Sequence, residues 1–157
     1  MHKSDIEKLE DFLINQEKYK KLLRLREMEL QDTISETIPA SKQENDLQDP
    51  RTIRASSNTS SVESIVEKQH NDLRYQTLYS IVCNTPKFVN TLSRYERIIY
   101  DYRYREADLS VYEWEDLTVL LDEEAAKHNK SFSKSTTLRL RNRMLERYAD
   151  KIGYTMM

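Results

Sequence analysis

Residues 129–157 read NKSFSKSTTLRLRNRMLERYADKIGYTMM. They hold seven Lys/Arg against two Asp/Glu, a local charge of +5 in a chain whose net charge is −2. Phe132 ahead of Ser133 is a hydrophobic residue followed by an N-cap, the arrangement that fixes the entry angle into a helix. Gly153 suits the left-handed position just past the helix end, with Tyr154 able to fold back. Between these ends a rotation of about 100° per residue sorts the side chains into two faces. Leu138, Leu140, Met144, Leu145, Tyr148 and Ile152 form one; Thr136, Arg139, Arg143 and Arg147 form the other. Arg141 falls on the apolar side and snorkels from its edge. The pattern predicts a capped helix from Ser133 to Ile152 that packs with one face and presents arginines on the other.

Upstream, Ser93 and Glu96 in LSRYERII (residues 92–99) form a capping box, and Leu92, Tyr95, Ile98, Ile99 and Tyr102 share one helical face. Tyr100 and Tyr104 face elsewhere, toward DNA backbone or a protein partner. A second helix is expected from about Tyr112 to His128, with Trp114, Leu117, Leu120, Leu121 and Ala125 inward. The turn between it and the basic helix contains no glycine.

Residues 4–31 read as one long helix opened by a Ser4–Glu7 capping box. Ile6, Leu9, Leu13, Tyr19, Leu22, Leu23 and Leu30 recur at helical spacing, with the heptad frame broken at Gln16. That stripe needs a surface to cover it, either the chain's own C-terminal domain or another copy. Residues 32–60 lose the periodicity and hold Pro39 and Pro50, as a flexible linker does. Helical patterning resumes at Ser61, with Val62, Ile65, Val66, Leu73, Leu78, Ile81 and Val82 as its apolar face. Thr85-Pro86 is expected to end that helix and begin the next. The expected organisation is an N-terminal helical arm (1–31), a linker (32–60) and a helical domain (61–157), all-α throughout.

Composition excludes several classes of chemistry. Cys83, the only cysteine, permits no internal disulfide and sits in an apolar run, as a buried small hydrophobe would. A single glycine leaves no phosphate-cradling loop of the Walker or dinucleotide type. Glu124 and His128 stand one helical turn apart, but a solvated acidic face explains them, and the same carboxylates offer a surface to RNA polymerase. We expect no catalysis, no cofactor and no metal site. No apolar run approaches the roughly 20 residues needed to span a bilayer, and the first residues lack a signal-peptide core, so a cytoplasmic protein is expected.

The order of these elements, LSRYERII, YRYREADLS, WEDLTVLL and FSKSTTLRLRNRMLERY, resembles the helix-turn-helix of sigma-factor region 4. The whole layout resembles phage late-operon regulators of the RinA/ArpU/LtrC kind, in which an N-terminal helix and polar linker precede a sigma-4-like domain. The resemblance implies a helix-turn-helix over about residues 92–153 and a transcriptional activator acting in a bacterial host cell. Double-stranded DNA would be its partner, together with RNA polymerase and self-association through the N-terminal helix. Ser133, Lys134 and Ser135 lie at a helix N-terminus, which favours phosphate. With Thr136, Arg139, Arg143 and Arg147 they are the candidate DNA contacts, arginine having the planar fork that pairs with guanine or grips phosphate. A small terminase-type packaging adaptor, or a protein-interaction module with an acidic partner, fits the same residues.

Overall fold

The structure, a computed structural model, describes the backbone of residues 1–45, 62–105 and 113–156, and the side chains of all of these except 33–45. Among the described residues there are helices and no strand. In chain order they are α1 (Lys3–Ile14), α2 (Gln16–Asn45), α3 (62–71), α4 (Leu73–Val89), α5 (Arg94–Arg103), α6 (Trp114–Ala126) and α7 (Lys134–Ile152). No described helix is long and apolar enough to cross a membrane. The chain divides into one unit of Met1–Tyr19 with Ser80–Met157 and another of Lys20–Tyr79.

In the first unit α7 is the central element, packed against α1, α5 and α6. Its Met144, Leu145, Tyr148 and Ala149 are fully buried, as are Leu9 on α1, Ile99 on α5, and Leu117, Leu121 and Ala125 on α6. The apolar stripe at the start of the chain is therefore covered, in α1, by the chain's own basic helix. Polar ties reinforce this packing. Buried Asp5 accepts a hydrogen bond from the Tyr154 hydroxyl at 2.9 Å, and Glu10 accepts one from Tyr104 at 2.7 Å.

Several features depart from expectation. The N-terminal helix is broken at Asn15 (φ −101°, ψ 42°), which separates α1 from α2 beside the frame break at Gln16. Tyr19 donates its hydroxyl to Asp11, Gln16 Nε2 takes up the Phe12 carbonyl, and the Phe12 and Tyr19 rings meet edge to face at 5.2 Å. These local bonds replace the helical continuation. Ser4 does not cap α1. The N-cap is His2, which makes no side-chain cap bond.

Pro86 does not end its helix either: it lies inside α4, in the last turn before Val89. Proline costs about 3 kcal/mol in a helix interior. Here burial of Ile81, Thr85 and Phe88, at i, i+4 and i+7, opposes that cost while Pro86 stays exposed. Thr85, expected as an N-cap, donates instead to the Ile81 carbonyl at 2.6 Å. The end of the helical arm expected at residue 31 falls within α2, whose backbone is helical to Asn45; the remainder of the expected linker lies outside the described residues. So does Ser61, the expected cap of α3.

In the second unit Leu23, Leu30, Tyr75 and Leu78 are buried. Asp72, between α3 and α4, caps α4 by accepting the Tyr75 N–H at 2.6 Å. The Arg26 guanidinium makes two hydrogen bonds to the Asp72 carboxylate, and this holds the carboxyl below its ordinary range. The apolar residues expected on a single face separate: Val62, Val66 and Leu73 are exposed, while Leu78 and Ile81 are buried. Cys83 is half-buried rather than enclosed.

Candidate nucleic-acid interface

The basic helix has the ends its sequence requires. Ser133 is the N-cap of α7, its Oγ accepting the Thr136 N–H at 3.3 Å. The Ser135 and Thr136 hydroxyls lie 3.1 and 2.9 Å from the same oxygen, so three hydroxyls surround the helix N-terminus. At the far end Gly153 is left-handed (φ 73°), its N–H bonds to the Asp150 carbonyl and the Tyr154 N–H to that of Ala149, a Schellman closure.

The connection from α6 uses the same closure without glycine. Asn129 adopts φ 57°, with Asn129 N–H on the Ala126 carbonyl and Lys130 N–H on that of Ala125. Asparagine enters the left-handed region more readily than other non-glycine residues, so it replaces the missing glycine. Asp122 then accepts the Phe132 N–H at 2.9 Å, and the Phe132 ring packs on Tyr95 of α5 at 4.9 Å. Thr118 of α6 donates to the buried Thr137 of α7 at 3.1 Å. The α6–turn–α7 unit is thus fixed from three sides.

The residues expected to contact DNA are not equivalent. Arg139 and Arg143 are exposed and make no ion pair or hydrogen bond with any described residue. Lys134 is paired with Glu115 of α6, an exposed and readily exchanged pair. Arg147 is committed elsewhere: its guanidinium grips both carboxylate oxygens of Glu96 on α5, at 2.8 and 2.7 Å, and lies over the Phe88 ring at 5.8 Å. Glu96 is 4 % exposed and also accepts the Ser93 N–H at 3.0 Å, completing the capping box. Burial alone would raise the Glu96 carboxyl, but the Ser93 N–H and the Arg147 guanidinium outweigh it and hold the group below its ordinary value. The outer face of α7 accordingly changes along its length. Toward the N-terminus it carries hydroxyls, Lys134, Arg139 and Arg143; further on, exposed Glu146 and Asp150 lie among the cations.

Arg141, placed on the apolar edge, is held by aromatic contact. Its guanidinium lies 5.1 Å from the Trp114 ring centroid and Arg103 lies 5.0 Å from the same ring. Arg141 also donates from Nε and Nη2 to the side-chain oxygen of Asn142, at 3.1 and 2.9 Å. Helical spacing had not marked Asn142, because an asparagine at the border of two faces gives no periodic signal.

Two other sets are resolved. Tyr104 is 1 % exposed and bonded to Glu10, so it faces the core and not a partner. Glu124 is paired with Arg94 and Lys127, and Arg94 also reaches His128 at 2.6 Å. Among the described residues no three His, Cys, Asp or Glu side chains converge as a metal site.

Set against protein-family models, curated proteins and solved structures, the chain matches none of them. The function must therefore be argued from the residues themselves.

Proposed function

We propose that this chain is a double-stranded-DNA-binding transcriptional regulator that inserts the N-terminal half of α7 into the major groove. The observation carrying this reading is that Arg139 and Arg143 stand exposed one turn apart, with no ion pair or hydrogen bond to any described residue, on a helix that buries Thr137, Met144, Leu145 and Tyr148 on its other side. An α-helix fits the major groove, and in a helix-turn-helix it is the N-terminal residues of the second helix that reach base edges. Arg139 and Arg143 would pair with base edges or phosphate. Lys134 would exchange Glu115 for phosphate, and the hydroxyls of Ser133, Ser135 and Thr136 would clasp a phosphate at the positive end of the helix. Arg147 serves the fold in this scheme, as a brace between α7 and α5.

Activation of phage late genes, with RNA polymerase as a protein partner, is the biological setting that the sigma-4-like order of elements suggests. The experiment is a mobility shift on a mapped late promoter with full-length protein, joined to a reporter driven by that promoter. Arg143→Ala is expected to lower affinity by roughly 1–3 kcal/mol if the arginine reads a guanine. A chain that neither shifts the promoter nor changes reporter output contradicts the proposal.

A further inference from the structure

The orientation of Asn142 is fixed by chemistry and not only by fit. A guanidinium has donors and no acceptor. The atom of Asn142 facing Arg141 Nε and Nη2 must therefore be the carbonyl oxygen, and the amide nitrogen is turned the other way. That nitrogen makes no hydrogen bond with any described residue, on a side chain that is half-buried. Arg141 is itself held against the face of Trp114. Asn142 follows Arg139 by three residues and directly precedes Arg143, at the border of the exposed face of α7.

We propose that Asn142 is a specificity-determining residue that reads guanine. This rests on the DNA-binding reading above and adds to it a named base. A free asparagine pairs with adenine because it offers a donor and an acceptor together, matching adenine N6 and N7. Asn142 has its acceptor occupied by Arg141 and presents donors alone. The major-groove edge that answers donors with two adjacent acceptors is guanine, through N7 and O6; adenine sets a donor against it. Trp114 and Arg141 act as positioning residues: they touch no base but decide which base the amide accepts.

The test is selection from a randomised duplex library by the full chain and by its Asn142→Ala, Asn142→Asp and Arg141→Met variants. One selected position is expected to favour guanine by about tenfold in the wild type. That preference falls to near parity in Asn142→Ala and moves to cytosine or adenine in Asn142→Asp, whose side chain only accepts. In Arg141→Met the amide oxygen is released and adenine rises at the same position. A second measurement leaves the protein unaltered: replacing that guanine with 7-deazaguanine removes the N7 acceptor, which weakens the wild type several-fold and leaves Asn142→Ala unaffected. The inference is overturned if Asn142→Ala selects the same bases as the wild type at every position, or if the wild type is indifferent to 7-deazaguanine at each guanine. Should the wild type enrich no duplex at all, the DNA-binding reading fails as well. Should it bind and Arg143→Ala weaken it while Asn142→Ala changes nothing, the role of Asn142 alone is lost.

Discussion

Arg147 of α7 and Glu96 of α5 form a two-point ion pair in which the carboxylate is buried and the guanidinium is half open to solvent. The pair joins the last helix to the capping box of α5, so it ties the arginine row to the core rather than to a ligand. Removing Arg147 leaves a buried carboxylate supported by the backbone N–H and side chain of Ser93. Because the arginine side is solvent-screened, Arg147→Ala is expected to cost about 1–3 kcal/mol in urea denaturation. Arg143→Ala, at an exposed position with no ion pair or hydrogen bond among the described residues, should stay within about 0.5 kcal/mol of wild type. Equal effects from the two would contradict the division of the row.

The same pair gives an acid limb. Glu96 has its folded pKa depressed below the ordinary 4.5. A depressed carboxyl contributes stability that is fully present above the unfolded value and is lost as pH falls through the folded one. Melting temperature should therefore decline below about pH 4.5, and less steeply in Glu96→Gln. Asp11 is lowered too: burial raises it, but bonds from Tyr19, Asn15 and Lys18 prevail, so some acid sensitivity persists in the variant. A Glu96→Gln profile parallel to that of wild type would refute the assignment.

Asn129 and Gly153, both left-handed, predict the same preference for glycine over alanine. Gly153→Ala meets no steric obstacle within 4 Å, yet must hold φ near 73°, at a cost of about 1 kcal/mol. Asn129→Gly should be neutral or slightly stabilising, whereas Asn129→Ala should cost a similar amount. Denaturant midpoints of the three variants check this.

Pro86 is a local defect retained by its neighbours. Pro86→Ala restores an N–H to α4 and relieves the ring clash, against a loss of about 0.4–1 kcal/mol from a freer unfolded chain. A net gain of about 1–2 kcal/mol is expected by calorimetry, less than the mid-helix value because Pro86 lies in the final turn.

The parts legible in the sequence were those governed by local chemistry. The Ser93–Glu96 box, the Ser133 cap and the Gly153 closure each depend on residues within one turn, and each stands where spacing placed it. The core stripe of α7 was legible for the same reason. What escaped was decided by distant partners. Helical phase places Arg147 beside Arg143, and only the folded position of Glu96 separates a brace from a free cation. The break at Asn15 depends on Tyr19 reaching back to Asp11, and the persistence of α4 through Pro86 depends on burial around Phe88. Asn129 substitutes for a glycine through its backbone preference, which no apolar pattern records.

Under the proposed function Lys134 and Glu115 bear on binding rather than on the fold. Both are more than half exposed, so Glu115→Gln should leave stability unchanged. It should strengthen duplex binding, most visibly at low salt, by releasing Lys134 and removing a carboxylate from the approach. Weaker binding by the variant would exclude Lys134 from the contact face.

In the proposed function Arg139 and Arg143, and not Arg147, meet the nucleic acid. The most direct test of this is the salt dependence of duplex binding by fluorescence anisotropy, with full-length wild type compared with the Arg139→Ala/Arg143→Ala double variant. Where both arginines engage phosphates, log affinity plotted against log salt should become shallower by about 2, with weaker binding at every salt concentration. Identical slopes and affinities for the two proteins would contradict the account.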